Sequence, residues 1–284
     1  LPARKKKPCS HQRASNHWIR QAFEQLLNVQ LQQTEALTKA LKAELSNATR
    51  QLEAFLNLQQ LLQGGDSIAA MHGWPISPDI GLFLAERLRE HHYDLIIEFG
   101  SGTSTVLFAQ LVDLLSKRTT AYPDKPSDVG EPVQFVTEIV SFEHDHVYHA
   151  KTLQMLKSRG IDQHVHLVHA PLVDWCDGDQ TYLYYDCQNK LTELAQRHAN
   201  RKLRILLLVD GPPGATCPNA RYPAVPFVFT TLWRHRIDLV LDDANRPEEK
   251  LVINMWRSYW TEKTVQITES LLQSEKGIFV AFSQ

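Results

Sequence analysis

Cysteine is scarce and scattered in this chain of 284 residues. Its four thiols, Cys9, Cys176, Cys187 and Cys217, form no Cys-x-x-Cys pair. Neither a structural zinc site nor a disulfide framework is indicated, and free thiols in a reducing cytoplasm are expected. An excess of one charge is missing too, since 30 Lys and Arg stand against 32 Asp and Glu, for a formal charge of −2. That argues against a nucleic-acid partner, which needs a basic surface to neutralise phosphates. No apolar run approaches the roughly 20 residues that span a bilayer. No signal peptide and no solenoid-length repeat is visible. The one basic run, Arg4 to Lys7, lies in a polar tail over residues 1–15. It is either a solvated tail or a peripheral contact with anionic lipid at the inner face of the membrane. The first residue is Leu rather than Met, which suggests a piece of a longer protein.

What is present begins with helix. Residues 16–63 contain neither Pro nor Gly until Gly64-Gly65, and are rich in Leu, Ala, Gln, Glu and Lys. Steps of four and three from Leu27 reach Leu31, Thr34, Thr38, Leu41, Leu45, Ala48, Leu52, Phe55, Gln59 and Leu62, a mostly apolar heptad seam. A coiled coil with another chain is expected, most simply self-association. The alternative is a helix folded back on its own domain.

From residue 66 to 284 the texture alternates between strand and helix. Buried strands are predicted at 94–99, 135–142, 164–169, 203–209 and 237–241, and a terminal strand pair at 264–269 and 277–282. Helices are predicted at 104–117, 145–159, 189–200 and 247–260, a loop over 118–132, and a short extra strand at 182–185. Such alternation specifies an α/β fold: a Rossmann-like, doubly wound, mostly parallel seven-stranded sheet with an antiparallel C-terminal strand pair.

The sharpest motif is Glu98-Phe99-Gly100-Ser101-Gly102, where a strand ends in an acid and a Gly-x-Gly turn opens a helix. Glycine lets the backbone turn tightly and admits a ligand close to it. Thr105 and Val106 stand where the third glycine of a dinucleotide fingerprint would be, which argues against a pyrophosphate. A second acid, Glu143, ends the next strand and is followed by His144. A carboxylate there can accept both hydroxyl hydrogens of a ribose, or merely cap the next helix.

Taken together, these two motifs resemble the first two motifs of the class I methyltransferases that use S-adenosylmethionine, and the resemblance extends over the chain after Gly65. It implies that Gly100, Ser101 and Gly102 lie against the amino-acid half of the cofactor, with Glu98 near its amino group. It also implies that Glu143 and His144 serve the ribose, and that His169 and Ala170 flank the adenine. The bottom-up chemistry agrees, because a sulfonium compound has no phosphates and calls for acids and close backbone.

Further motifs sit at strand C-termini, where such sheets bind ligands. Asp210-Gly-Pro-Pro-Gly214, Arg221-Tyr-Pro-Ala224 and Leu241-Asp-Asp-Ala244, with the lead-in His72-Gly-Trp-Pro75, are similar to a bacterial subgroup associated with surface-polysaccharide and other glycan biosynthesis. The acceptor this implies is a sugar or glycan hydroxyl, with a small molecule, carboxylate or phosphate as the alternative. A non-catalytic cofactor-binding domain on a coiled-coil scaffold is a further alternative. Asp210, Asp242 and Asp243 offer hard oxygen donors suited to Mg²⁺ or another divalent ion, as in the metal-dependent sugar O-methyltransferases that they also resemble. In the competing reading Asp210 alone orients or deprotonates the acceptor while Asp242 and Asp243 cap a helix. The general base stays open between Asp210 and a histidine, His72 being the nearest candidate. Trp74, Arg221 and Tyr222 are expected to contact the acceptor.

Overall fold

The structure, a computed structural model, describes residues 10–62, 76–121 and 137–284. The chain divides into two units, residues 1–50 and 51–284. Most of the first is a single helix. The helix α1, Ser10–Leu61, has 52 residues and is about 78 Å long at 1.5 Å per residue. Between residues 18 and 50 its apolar side chains lie open, with Trp18, Phe23, Leu37, Leu41 and Leu45 each about two-thirds exposed.

The last turns of α1 belong to the second unit and pack on its core. Ala54 and Leu58, four apart on one face, are buried, and Leu58 joins Ile80, Leu84, Phe108 and Ile278 in one core layer. The Gln51 side chain adds a reciprocal pair with Asp79, its Nε2 donating to Oδ2 (2.7 Å) and its Oε1 accepting from the Asp79 backbone N–H (3.3 Å). The α/β unit thus takes in residues ahead of position 66, where the glycine pair suggested that it starts. Of the expected seam residues in these turns, Phe55 and Leu62 pack in part against the same core, while Leu52 stays exposed.

Seven strands form one sheet in the order β3-β2-β1-β6-β7-β9-β8. They are β1 (Leu95–Phe99), β2 (Glu138–Glu143), β3 (Val165–His169), β6 (Arg204–Val209), β7 (Arg236–Leu241), β8 (Ile267–Leu272) and β9 (Ile278–Ser283). The first five are parallel, while β9 runs antiparallel between β7 and β8. This is the Rossmann-like sheet with a reversed terminal pair that the alternation predicts. Every residue of β1 is buried, because a central parallel strand is covered on both faces. Its side chains divide by the two-residue period. Leu95, Ile97 and Phe99 point into a layer with helices α5 (Gln188–Arg197), α6 (Ala224–Thr231) and α7 (Pro247–Glu262). Ile96 points into the layer with α2 (Pro78–Glu90), α3 (Thr103–Ala121) and α4 (His146–Ser158).

Several elements depart from expectation. Helix α2 starts where Ser77 and Asp79 hydrogen-bond each other (2.6 Å) and Pro78 takes the first helical position. A strand β4 (Leu172–Asp177) pairs antiparallel with β5 (Gln180–Tyr185) as a separate two-stranded sheet. Helix α3 continues to Ala121, into the expected loop, whose remainder lies outside the described residues. Strand β8 begins three residues late, because residues 263–265 close α7. Val265 N–H donates to the Trp260 carbonyl (2.9 Å), and Thr264 takes a left-handed φ of 54°. Among the described residues no helix is long and apolar enough to cross a membrane.

The strand order reverses between β1 and β6. In an open α/β sheet that switch point leaves a crevice beyond the strand C-termini. A cleft of about 330 Å³ lies at the other end of the strands, lined in part by Arg87, Arg204 and Arg236.

Candidate functional site

The two turns at the switch point touch. Gly100 has a φ of 100°, a region L side chains rarely adopt, and a Cβ there would come within 3.1 Å of the Gly211 nitrogen and 3.2 Å of the Asp210 carbonyl carbon. Glycine at 100 is what allows the β1 and β6 loops to meet. Gly102 is different, since a Cβ there would meet no protein atom. Its bareness leaves open surface above the turn.

Glu98 is wholly buried beneath that turn. Its Oε2 accepts from Thr105 Oγ1 and from Ser141 Oγ, both at 2.6 Å, while Oε1 is buried without a hydrogen-bond partner. Burial pushes its carboxyl up to about 7, against the lowering effect of the surrounding hydroxyls. Glu143 is buried as well but behaves oppositely. Burial would raise its carboxyl, yet His144, the backbone N–H of Asp145, and Ser101 outweigh that and hold it below the ordinary glutamate value. Oε2 accepts from the Ser101 N–H and hydroxyl, each at 3.0 Å, and Oε1 from the Asp145 N–H at 2.9 Å. His144 Nδ1 lies 3.1 Å from Oε1. The helix cap, the alternative role for Glu143, is supplied instead by Asp145, whose Oδ1 accepts from the Val147 and Tyr148 N–H groups. Ala170 N–H donates to the Glu143 carbonyl (2.8 Å), and exposed His169 lies 3.2 Å from the His144 carbonyl. Gly100, Ser101, Glu143, His144, His169 and Ala170 thus fall along one rim, with Glu98 buried beneath it.

Across the switch point Asp210, Asp242 and Asp243 converge, with carboxylate oxygens within 4.8 Å of one another. Asp243 sits at a φ of 62° and donates its N–H to Asp242 Oδ1 (2.7 Å), a strained placement of the sort that collects at functional sites. Burial and the negative charge of Asp242 raise the Asp210 carboxyl well above the usual carboxylate range, with Arg221 opposing. Burial and Asp243 raise Asp242 to about 6.

Arg221 was expected at the acceptor face. It lies instead beneath the trio, only 3% exposed. It donates to the Asp242 carbonyl (3.0 Å), the Asp210 carbonyl (2.8 Å) and Asp243 Oδ2 (3.1 Å). Asp210 Oδ1 and Glu249 Oε1 lie 3.5 and 3.6 Å from it. Those bonds are the physical reason for its placement, since a buried guanidinium needs surrounding acceptors. Tyr222 is buried too, its hydroxyl donating to Asp177 Oδ2 (2.7 Å) beside Trp175 and Tyr182 of the β4–β5 sheet. His72 and Trp74 lie outside the described residues.

Tyr185 was not singled out in the sequence. Its ring stacks on Phe99 and its buried hydroxyl, without a hydrogen-bond partner, faces Gly211 closely enough that no Cβ would fit there. Burial and then Glu143 push that hydroxyl well above the usual tyrosine value. The signal in sequence, a Tyr-Leu-Tyr-Tyr run, reads only as a short strand.

No known family profile matches the chain, and no curated protein does. Solved structures that resemble it include a Podospora anserina methyltransferase, PaMTH1, bound to S-adenosylhomocysteine (14% identity, 81% of this chain and 88% of that one, TM-score 0.47). An O-methyltransferase from Bacillus cereus, also in complex with S-adenosylhomocysteine, shares 12% identity over 82% of this chain and 91% of its own, TM-score 0.47. The O-methyltransferase TomG from Streptomyces achromogenes shares 15% over 82% and 90%, TM-score 0.44. Likeness at this level assigns no activity, and the geometry of the site has to carry the reading.

Proposed function

We propose that this chain is an S-adenosylmethionine-dependent O-methyltransferase. The observation that carries the proposal is the meeting, at the sheet's switch point, of the Glu98–Gly102 turn with ionised Glu143 on one side and Asp210 on the other. The fit to that ligand is supported by the unpartnered Glu98 Oε1, suited to an ammonium group, and by the open surface over Gly102. Glu143, already ionised, has an acceptor position left on Oε1 for one ribose hydroxyl, and the Ser101 hydroxyl, by turning away from Oε2, would free a second. His169 and Ala170 would border the base. S-adenosylmethionine, when bound, supplies an electrophilic methyl group on a sulfonium ion. The chain's part is to hold an acceptor oxygen in line with it and exclude water. Asp210, its carboxyl raised by burial, is suited to take the acceptor's proton. His72 remains the alternative base.

The acceptor proposed is a sugar or glycan hydroxyl. That rests on the motif resemblance of the Asp210–Gly214, Arg221–Ala224 and Leu241–Ala244 segments. A cytoplasmic setting is part of the same proposal. For the exposed apolar row of α1, the proposed occupant is a second copy of the same helix, since the row has the spacing of a heptad seam.

Mg²⁺ at Asp210, Asp242 and Asp243 fits in donor type, and Asp243 Oδ1 is buried without a partner, but other oxygens of the trio are already engaged. A divalent ion of this kind needs near-octahedral oxygen at about 2.0–2.1 Å with room for waters. Asp243 Oδ2 already accepts from Arg221 and from Arg246 (2.8 Å), and Asp242 Oδ1 from a backbone N–H. The Arg221 guanidinium lies against the group and already brings a positive charge to it.

The deciding experiment is incubation with methyl-labelled S-adenosylmethionine and a panel of mono- and oligosaccharides beside catechols and carboxylic acids. Label in an ether-linked methyl of a sugar is the expected result. Label in catechol alone would move the acceptor class, and failure to bind S-adenosylhomocysteine would remove the reading altogether.

A further inference from the structure

We propose that Arg221 is a built-in cation, taking the place that a divalent ion would otherwise hold among Asp210, Asp242 and Asp243. The inference concerns the site proposed above, but its readout does not need turnover. Four carboxylates, from Asp210, Asp242, Asp243 and Glu249, are gathered at the ends of β6 and β7 and the start of α7. Carboxyls gathered this closely, those of Asp242, Asp243 and Glu249 buried, need a neighbouring cation if they are to carry charge together. The guanidinium supplies it from the loop ahead of α6, its two terminal nitrogens donating while its buried Nε stands 3.6 Å from Glu249 Oε1 without a hydrogen bond. Its bonds reach backbone as well as side chains. The carbonyls of Asp210 and Asp242, at the ends of two adjacent parallel strands, both accept from it. A metal bound only by carboxylates would leave those two carbonyls to find other donors.

The loop is built to deliver this side chain. Asn219 takes a left-handed φ of 53° and its N–H donates to Glu248 Oε1 (2.7 Å). The Tyr222 carbonyl accepts from buried Trp256 Nε1 (2.8 Å), and the Ala224 N–H donates to the Arg221 carbonyl (3.3 Å). The residues on both sides of Arg221 are thus held by α7, the helix that also carries Glu249. Arg221 is a positioning residue in this account. It orients Asp210 and sets the charge around it, touching neither reactant itself.

The test uses the full chain, Mn²⁺ as a paramagnetic probe, and S-adenosylhomocysteine as ligand. Wild-type protein should bind no Mn²⁺ stoichiometrically by electron paramagnetic resonance, and EDTA should leave its melting temperature and ligand affinity unchanged. Arg221→Met, which keeps much of the volume and removes the charge, should melt lower and bind ligand more weakly. It should also acquire a stoichiometric Mn²⁺ site, and either Mn²⁺ or free guanidinium ion should restore part of both losses. A residue that merely filled space would show no rescue by a cation. Stoichiometric Mn²⁺ on the wild-type chain, abolished by Asp242→Asn, would overturn the proposal, as would a Met variant that neither cation rescues. If the Met variant does not fold, the wild-type Mn²⁺ and EDTA measurements decide it alone. Failure to bind S-adenosylhomocysteine with the Mn²⁺ results as expected would strike the methyltransferase reading and leave the built-in cation standing.

Discussion

Replacing Glu143 by Gln changes one atom and tests two roles together. In the wild type each carboxylate oxygen faces a backbone donor, Oε1 the Asp145 N–H and Oε2 the Ser101 N–H. An amide has a single acceptor oxygen, so in either orientation its NH₂ confronts one of those donors. An unsatisfied buried donor costs about 1–3 kcal/mol. At roughly 2–4 °C per kcal/mol for a domain of this size, the ligand-free variant should melt about 2–12 °C lower. The gap should depend on pH. The folded value of Glu143 lies below its ordinary 4.5, so on acidification the unfolded chain takes up the proton first. The contribution is complete above the ordinary value and is lost as pH falls through the folded one. The two proteins should therefore melt apart at pH 7 and converge toward pH 4 and below. Calorimetry at a temperature where both are folded should show affinity for S-adenosylhomocysteine falling roughly 10- to 150-fold, the equivalent of about 1.5–3 kcal/mol for hydrogen bonds to a charged group. A variant that melts and binds like the wild type would refute both the structural account of Glu143 and its place in the ligand site.

Gly100→Ala should destabilise the chain by about 2–4 kcal/mol, from the left-handed φ and the close backbone at Gly211 together. Gly102→Ala should melt within about 1 kcal/mol of wild type yet lose ligand affinity, as thermal melts with and without S-adenosylhomocysteine will show. Because burial holds free Glu98 at about 7, a ligand ammonium beside it should pull that value down. Binding near pH 6.5 should then release protons, seen as a binding enthalpy that changes with buffer ionisation heat; no buffer dependence would move the ammonium elsewhere. A chain beginning before Gln51 should fold alone, whereas one beginning at residue 66 loses Leu58 and should be destabilised by at least about 2–5 kcal/mol. Leu41, Leu45 and Leu52 to Ser should dissociate the full chain in sedimentation without changing ligand affinity.

The succession of strands and helices, the terminal strand pair and the long helix were legible in the chain because their signals are local. A central parallel strand such as Leu203 to Val209 must be apolar throughout, and a helix seam must repeat every three or four residues, whatever lies far away in sequence. The glycine turn and the acid after β2 were legible for the same reason, since each is a strand end followed by a residue its geometry demands. Which side chains meet across the switch point is not a local matter. Arg221 lies near three aspartates in space, and only the parallel pairing of β6 with β7 brings Asp242 and Asp243 beside the loop that carries it. In the chain it read as a loop residue gripping the acceptor; burial and five protein oxygens make it a counter-ion. Tyr185 likewise gains a place at the site only because the β4–β5 sheet lays its ring on Phe99. The helix shows the same division. Its heptad stripe is written in the sequence, but the face that docks, through Ala54 and Leu58, was chosen by the apolar surface of α2 and α3, which a periodicity cannot name.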